Sequence, residues 1–180
     1  MECPIIQGER IYLRPLRKED IEGNYPRWFD DPEVCKHNDH VPFTKTKQDF
    51  INYVTKVRNS KNDYVFAICD KENNKHVGNI SLQKINHNYK NAEMAVIIGE
   101  RDYWGKGIGR EAWQLVMNYG FDVLKLHRIY CGTHEENFGM QKIALACGME
   151  YEGRLKHAMF KNEKYADVLL YGAINKNPDT

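Results

Sequence analysis

Arg101-Asp102-Tyr103-Trp104-Gly105-Lys106-Gly107-Ile108-Gly109-Arg110-Glu111-Ala112 is the stretch that organises this chain. It follows the apolar run Met94-Ala95-Val96-Ile97-Ile98 and precedes a helical pattern from about Arg110 to Leu124. The order is strand, glycine loop, helix. Glycines at 105, 107 and 109 let the backbone turn tightly and aim successive N–H groups into one concavity. The helix that begins there adds unpaired N–H donors and the positive end of its dipole, so the site suits a phosphate or pyrophosphate.

Two other nucleotide-binding loops fail on spacing. A P-loop needs a hydroxyl directly after its lysine to hold magnesium, and Lys106 is followed by Gly107. A dinucleotide fold needs G-x-G-x-x-G early in a βαβ unit, with an acid about 20 residues on. Here the glycines alternate, and the loop lies past the middle of the chain.

The 180 residues carry 26 basic and 25 acidic side chains, a formal charge of +1. No overall field therefore marks a nucleic-acid binder. There is no run of about 18 apolar residues and no signal pattern at the start, so no membrane span is expected and a cytoplasmic location is. The five cysteines are odd in number and scattered, as fits reduced thiols. Cys35, His37 and His40 lie close together but lack a second ligand pair at zinc-like spacing, so no metal is expected.

Around the loop, the periodicities give a mixed α/β domain spanning residues 1–180, with no internal repeat or linker. Arg10 to Arg14 alternates as a strand closed by Pro15. Lys18 to Phe29 reads as a helix with Ile21, Tyr25 and Trp28 on one side, although Pro26 blurs its end. Asp31-Pro32-Glu33 reads as a capped turn, and Asn38 to Thr44, with Pro42, as a loop. Thr46 to Asp49 resembles a capping box ahead of the stripe Phe50, Tyr53, Val54, Val57. Tyr64 to Cys69 and His76 to Ile85 form a hairpin, and the strand carrying Glu93 follows. In the helix after the loop, Ala112, Leu115, Val116, Tyr119 and Val123 repeat at core spacing. Arg128 to Cys131 is a strand, Asn137 to Cys147 a helix stopped by Gly148, and Glu152 to Phe160 with Tyr165 to Ile174 a closing hairpin.

Glycine loop, helix, strand and a helix opened by Asn137 together resemble the GNAT superfamily of acetyl-CoA-dependent N-acetyltransferases. Ile11 to Asp20 and Asp30 to Val34 look like the branch that acetylates ribosomal-protein N-termini, and Ile85 to Phe121 is similar to spermidine N-acetyltransferases. The superfamily loop is Q/R-x-x-G-x-G/A; Gly107 and Gly109 take the glycine positions, while Trp104 stands where Gln or Arg is usual, a variant familiar in the ribosomal-protein branch. The resemblance implies a mostly antiparallel twisted sheet flanked by helices. It also implies that the backbone of Val96, Ile97 and Ile98 pairs with the pantetheine arm. The N–H groups of the loop, Gly105, Lys106, Gly107, Ile108, Gly109 and Arg110, would hold the pyrophosphate. Asn137 would contact the coenzyme as well as cap its helix. Acetyl-CoA is then the cosubstrate and an amine the acceptor: a protein N-terminus, an amino sugar or a polyamine. A homodimer is left open.

Acetyl transfer needs a neutral amine, a stabilised oxyanion and a leaving thiolate. Amines with pKa about 8 to 10 arrive mostly protonated. Glu93, the only charged residue in Ala92 to Ile98, is the candidate base, with a backbone N–H near Ile97 or Ile98 for the oxyanion. For a polyamine, Asp30, Asp31, Glu33 and Asp39 are the carboxylates at hand. Many relatives place a tyrosine seven residues after the Asn, or a serine three after it, as proton donor; those positions here are Ala144 and Met140. That gap keeps a rival alive, a GNAT-like module that binds acyl-CoA without turnover. Tyr130, His134 and Tyr151 are the nearby groups that could fill it.

Overall fold

An unbroken apolar run such as Tyr64 to Cys69 suits a strand covered on both faces. The computed structural model, which describes residues 4–40 and 44–176, places it so. Phe66 and Ile68 enter one hydrophobic cluster, and Val65, Ala67 and Cys69 enter a second on the opposite face. In chain order the elements are β1 (Ile6–Gln7), β2 (Ile11–Pro15), α1 (Lys47–Asn59), β3 (Tyr64–Asp70), β4 (His76–Asn86) and β5 (Asn91–Ile98), followed by α2 (Ile108–Asn118), β6 (Arg128–His134), α3 (Phe138–Ala146), β7 (Glu150–Lys161) and β8 (Lys164–Ile174). The strands form one sheet in the order β1-β2-β3-β4-β5-β6-β8-β7. Every neighbouring pair is antiparallel except β5 and β6.

The first cluster lies under α2 and α3, with Trp113, Val116 and Ala144 fully buried against Leu82, Met94 and Ile129. The second takes Phe50 and Val54 from α1 and Tyr25, Trp28 and Phe29 from the segment before it. Thr46 and Asp49 form the expected capping box: the Asp49 N–H donates to Thr46 Oγ1 at 3.3 Å, and the Thr46 N–H donates to Asp49 Oδ2 at 2.7 Å.

Four readings need correction. The helix expected from Lys18 to Phe29 is two short 3-10 turns, Lys18–Glu22 and Pro26–Phe29. Gly23 is extended and Pro26, lacking an N–H, can only start a turn. Tyr53 leaves the α1 stripe and is 41% exposed. Val123 is 58% exposed because Tyr119–Val123 is a π-turn that shifts the phase of the helix. Gly120 lets that turn press on the sheet, since a Cβ there would lie 2.7 Å from Ile129 Cδ1. The closing hairpin needs only Asn162 and Glu163 as its loop, both with positive φ, because β7 and β8 run right up to them. Pro42 lies outside the described residues. Among those residues no helix is long and apolar enough to cross a membrane.

Asp20 ties the first 3-10 turn to the sheet. Arg14 donates to its two oxygens at 2.8 and 2.6 Å, and the Arg17 N–H donates at 2.8 Å. Burial pushes the Asp20 pKa up, but the Arg14 guanidinium and the Arg17 N–H outweigh it, so the net direction is down. A carboxylate held below its unfolded value of about 3.9 stabilises the fold above that pH, and the contribution is lost as pH falls through the folded value. Asp20→Asn should therefore cost about 3 kcal/mol at pH 7, because it leaves Arg14 buried without its counter-charge. It should also lose less on going to pH 3 than the wild type does. Thermal melts at the two pH values measure both.

Candidate active site

β5 and β6 pair only through Asn91↔Arg128, Ala92↔Ile129 and Glu93↔Tyr130, and then part. β5 continues against β4 as far as Ile98↔Gly78, and β6 against β8 as far as His134↔Val168. Among the described residues, the inner edge of β5 from Met94 onward therefore has no strand beside it.

Only alternate residues can use that edge. The Gly99 N–H donates to the Val77 carbonyl at 3.0 Å, and a Cβ on Gly78 would run into the Ile97 carbonyl, so residue 97 turns its peptide groups toward β4. Antiparallel ladders alternate, so Val96 and Ile98 turn theirs to the opening. Trp104 Nε1 donates to the Ile98 carbonyl at 2.8 Å, as that orientation requires. The pairing expected along Val96 to Ile98 thus narrows to Val96 and the Ile98 N–H. Of the two oxyanion donors considered, only Ile98 faces the opening.

Two cavities meet where the strands part. The inner one, of about 600 Å³, includes Glu93, Trp113 and His134 in its wall. The loop cavity, of about 580 Å³, includes Ile98, Trp104, Gly105, Gly107, Ile108, Gly109 and Arg110. Among the described residues six belong to both walls: His37, Asn38, Val96, Ile97, Asn137 and Met140.

The loop has the shape that its glycines allow. Gly105 and Gly107 have φ of 72° and 78°, and Gly107 is the N-cap of α2. Among the described residues no hydrogen bond takes up the N–H groups from Gly105 to Arg110; the first helical bond is the Glu111 N–H to the Gly107 carbonyl, 3.0 Å. Lys106 stays out of the cavity wall, with its ammonium 5.6 Å above the Tyr103 ring.

The loop is braced by the turn between β1 and β2, through residues whose pairing had no signature in the sequence. Arg10 donates to the Lys106 carbonyl at 2.6 Å and, through Nε, to Glu111 at 3.0 Å. Glu111 Oε1 also accepts the N–H groups of Glu9 and Arg10 at 2.7 and 2.9 Å. Burial raises the Glu111 pKa, but these bonds win and lower it overall.

Glu93 lines the inner cavity, and its carboxylate lies 2.7 Å from Lys84 Nζ. Of the acids weighed for an acceptor pocket, only Asp39 joins it there, together with Asp49 and Lys45; Glu33 lines the loop cavity, and Asp31 faces Arg101. Asn137 caps α3, its Oδ1 accepting the Met140 N–H at 3.1 Å. Ala144 is fully buried in the core, so that position points no side chain at either cavity. Tyr130 and Tyr151 line neither, whereas His134 lines the inner one. The structure also brings in His37, whose ring lies 5.1 Å from that of His134. Among the described residues, the buried polar side-chain atoms without a partner are His37 Nδ1 and Trp113 Nε1, both on residues of the inner wall.

The family profile described as "Acetyltransferase (GNAT) domain" matches residues 10–150. The chain belongs to the GNAT acetyltransferase family. It is an N-acetyltransferase, as its relatives are named. The spermidine N(1)-acetyltransferase of Escherichia coli K12 is 30% identical over 160 residues, covering 88% of this chain and 83% of that protein. The ribosomal-protein-serine acetyltransferase of the same organism is 33% identical over 98 residues, 54% of each chain. A crystal structure of spermidine N-acetyltransferase from Vibrio cholerae, in complex with CoA and spermine, superposes with a TM-score of 0.86 at 23% identity, covering 95% of this chain and 99% of that one. The GNAT sheet, with its parted strands, is thus the fold seen here.

The brace predicts a stability defect. Glu111→Gln should cost about 2 kcal/mol, because Gln replaces charged hydrogen bonds by weaker ones and must turn an NH₂ toward one set of donors. At about 2–4 °C per kcal/mol for a chain of this size, Tm should fall by about 4–8 °C in a calorimetric scan.

Proposed function

We propose that this GNAT enzyme transfers the acetyl group of acetyl-CoA to a primary amine by direct attack, both substrates being bound at once. The observation that carries the reading is the meeting of the two cavities at Val96, Ile97 and Asn137, beside a strand edge with no strand paired to it among the described residues. A coenzyme in the loop cavity would lay its pyrophosphate against the free N–H groups from Gly105 to Arg110 and run its amide-bearing arm along Val96 and Ile98 like an added strand. Ile98 N–H then faces the thioester oxygen as negative charge builds there. Asn137, shared by both walls, lies where the arm passes into the inner cavity.

The amine occupies the inner cavity. Asp39, Asp49 and Glu93 outnumber Lys45 among its charged side chains, which suits an acceptor that arrives as an ammonium ion. Glu93 is the base. Four residues of strand separate it from Ile97, a span of about 13 Å, so it draws the proton through water rather than by contact. The spermidine and ribosomal-protein relatives make polyamines and polypeptide N-termini the acceptors to compare.

Two outcomes are expected. Acetyl-CoA at 100 times its Kd should raise stability by about 2.7 kcal/mol, read as a thermal shift. Gly107→Val should abolish that shift and leave the free protein folded, since a β-branched residue resists the positive φ needed at the helix start. In a thiol-release assay against spermine, spermidine and peptides beginning with serine or alanine, Glu93→Gln should lower kcat by roughly 10²–10⁴ with coenzyme affinity unchanged. The deficit should shrink at high pH, where the amine arrives neutral. Wild-type kcat in the variant at pH 7, with chemistry rate-limiting, would remove Glu93 from the mechanism.

A further inference from the structure

The reaction has a second proton to move. Once the neutral amine attacks, the nitrogen becomes cationic, and the departing CoA sulfur needs a proton. One group standing between nitrogen and sulfur could serve both. It must touch both cavities, because the amine comes from one and the thioester from the other. Of the six residues common to the two walls, His37, Asn38, Val96, Ile97, Asn137 and Met140, only His37 can gain and lose a proton near neutral pH.

We propose that His37 is the proton shuttle of the transfer. As the C–N bond forms, its imidazole takes one proton from the nitrogen. As the C–S bond breaks and its electron pair goes to sulfur, the imidazolium delivers that proton, giving CoA thiol and neutral His37. No other reactant is needed. The assignment builds on the acetyl-transfer reading above and fills the place left by Ala144 and Met140.

Three further observations support it. Nδ1 of His37 has no hydrogen-bond partner among the described residues, so no bond at that atom fixes which ring nitrogen carries the proton. The segment that carries His37 is fixed: Lys161, at the tip of the closing hairpin, donates to the carbonyls of Cys35, Asn38 and His40. Burial, followed by the neighbouring His134 and Lys36, lowers the His37 pKa, while Glu136 opposes them and Lys161 adds to them. The ring is therefore neutral and able to accept when the amine attacks.

A divalent metal is the competing use of this place, because nitrogen atoms of His37 and His134 and an oxygen of Glu136 lie within 4.8 Å of one another. The His134 ring argues against it. Its Nδ1 accepts the Glu136 N–H at 3.0 Å, which leaves the proton of the neutral ring on Nε2. A metal on Nε2 would displace that proton to Nδ1, facing another N–H.

The test uses the full chain and the panel amine with the highest turnover. His37→Asn should lower kcat by about 100-fold or more, with CoA affinity changed by less than about twofold and Tm nearly unchanged. Added imidazole should restore part of the activity of His37→Ala, a rescue that a merely structural role would not show. Retention of wild-type kcat in His37→Asn with chemistry rate-limiting would overturn the proposal. So would loss of wild-type activity on chelation with restoration by Zn²⁺, which would assign the cluster to a metal. A binding experiment decides the case even if no amine turns over, an outcome that would sink the acceptor reading by itself. The ¹⁵N resonances of the His37 ring should move with CoA and much less with desulfo-CoA, which lacks the thiol. Equal spectra with the two ligands would place His37 away from the sulfur.

Discussion

A sheet that opens between two of its own central strands leaves backbone hydrogen-bonding groups with no partner, and that constraint governs the rest of this molecule. Buried peptide groups are almost always satisfied. Here the edge of β5 beyond Glu93 is satisfied in part by Trp104, whose indole takes the Ile98 carbonyl. The remainder faces the cavities. An amide-rich linear ligand answers such an edge better than water does, because it supplies donors and acceptors at strand spacing. Trp104 is thus a terminus for the ladder: it closes the edge at the Ile98 carbonyl and leaves the Ile98 N–H and Val96 to a ligand.

Holding the gap open requires bracing on both sides. On the loop side, Glu111 gathers the backbone of residues 9–11 and the Arg10 side chain, which itself grips Lys106. On the inner side, the second hydrophobic cluster packs Tyr25, Trp28 and Phe29 beneath the segment that carries His37 and His40. Burial and the nearby Lys45 ammonium push His40 down to about 4, so it stays neutral and serves as packing and acceptor rather than charge. His37 and the glycine-loop N–H groups are therefore presented by loops, Glu93 and the Ile98 N–H by β5, and the clusters and ion pairs behind the loops set where they stand.

Much of this was legible in the chain because the relevant signals are local. The alternating glycines, the apolar run before them and Asn137 ahead of a helix each name their own conformation within a few residues. Strand pairing by hairpins was legible for the same reason. What escaped has no local signature. Arg10 and Glu111 look like ordinary surface charges until the fold sets them together. His37 beside Cys35 invited a metal reading in its own neighbourhood, whereas its actual ring neighbour is His134. Val123 was misplaced because a π-turn changes the period mid-helix; Gly120, which permits it, was the one available hint. The narrowing from Val96–Ile98 to alternate residues needed the register against β4, which only tertiary pairing supplies.

Lys161 links the last hairpin to the segment near the start of the chain, and this has a consequence for how the enzyme comes into being during synthesis. β8 lies between β6 and β7 in the sheet, so β6 has a bare outer edge until the final strand is made. The carbonyls of Cys35, Asn38 and His40 likewise wait for Lys161. A ribosome-bound chain can assemble β2 to β5 early, since their contacts are between sequence neighbours. The far wall of the cleft, Cys131 to His134 of β6, is backed on its outer side only once β8 has been made. A growing chain that stops short of β8 therefore holds the β6 wall of the cleft without its own sheet neighbour.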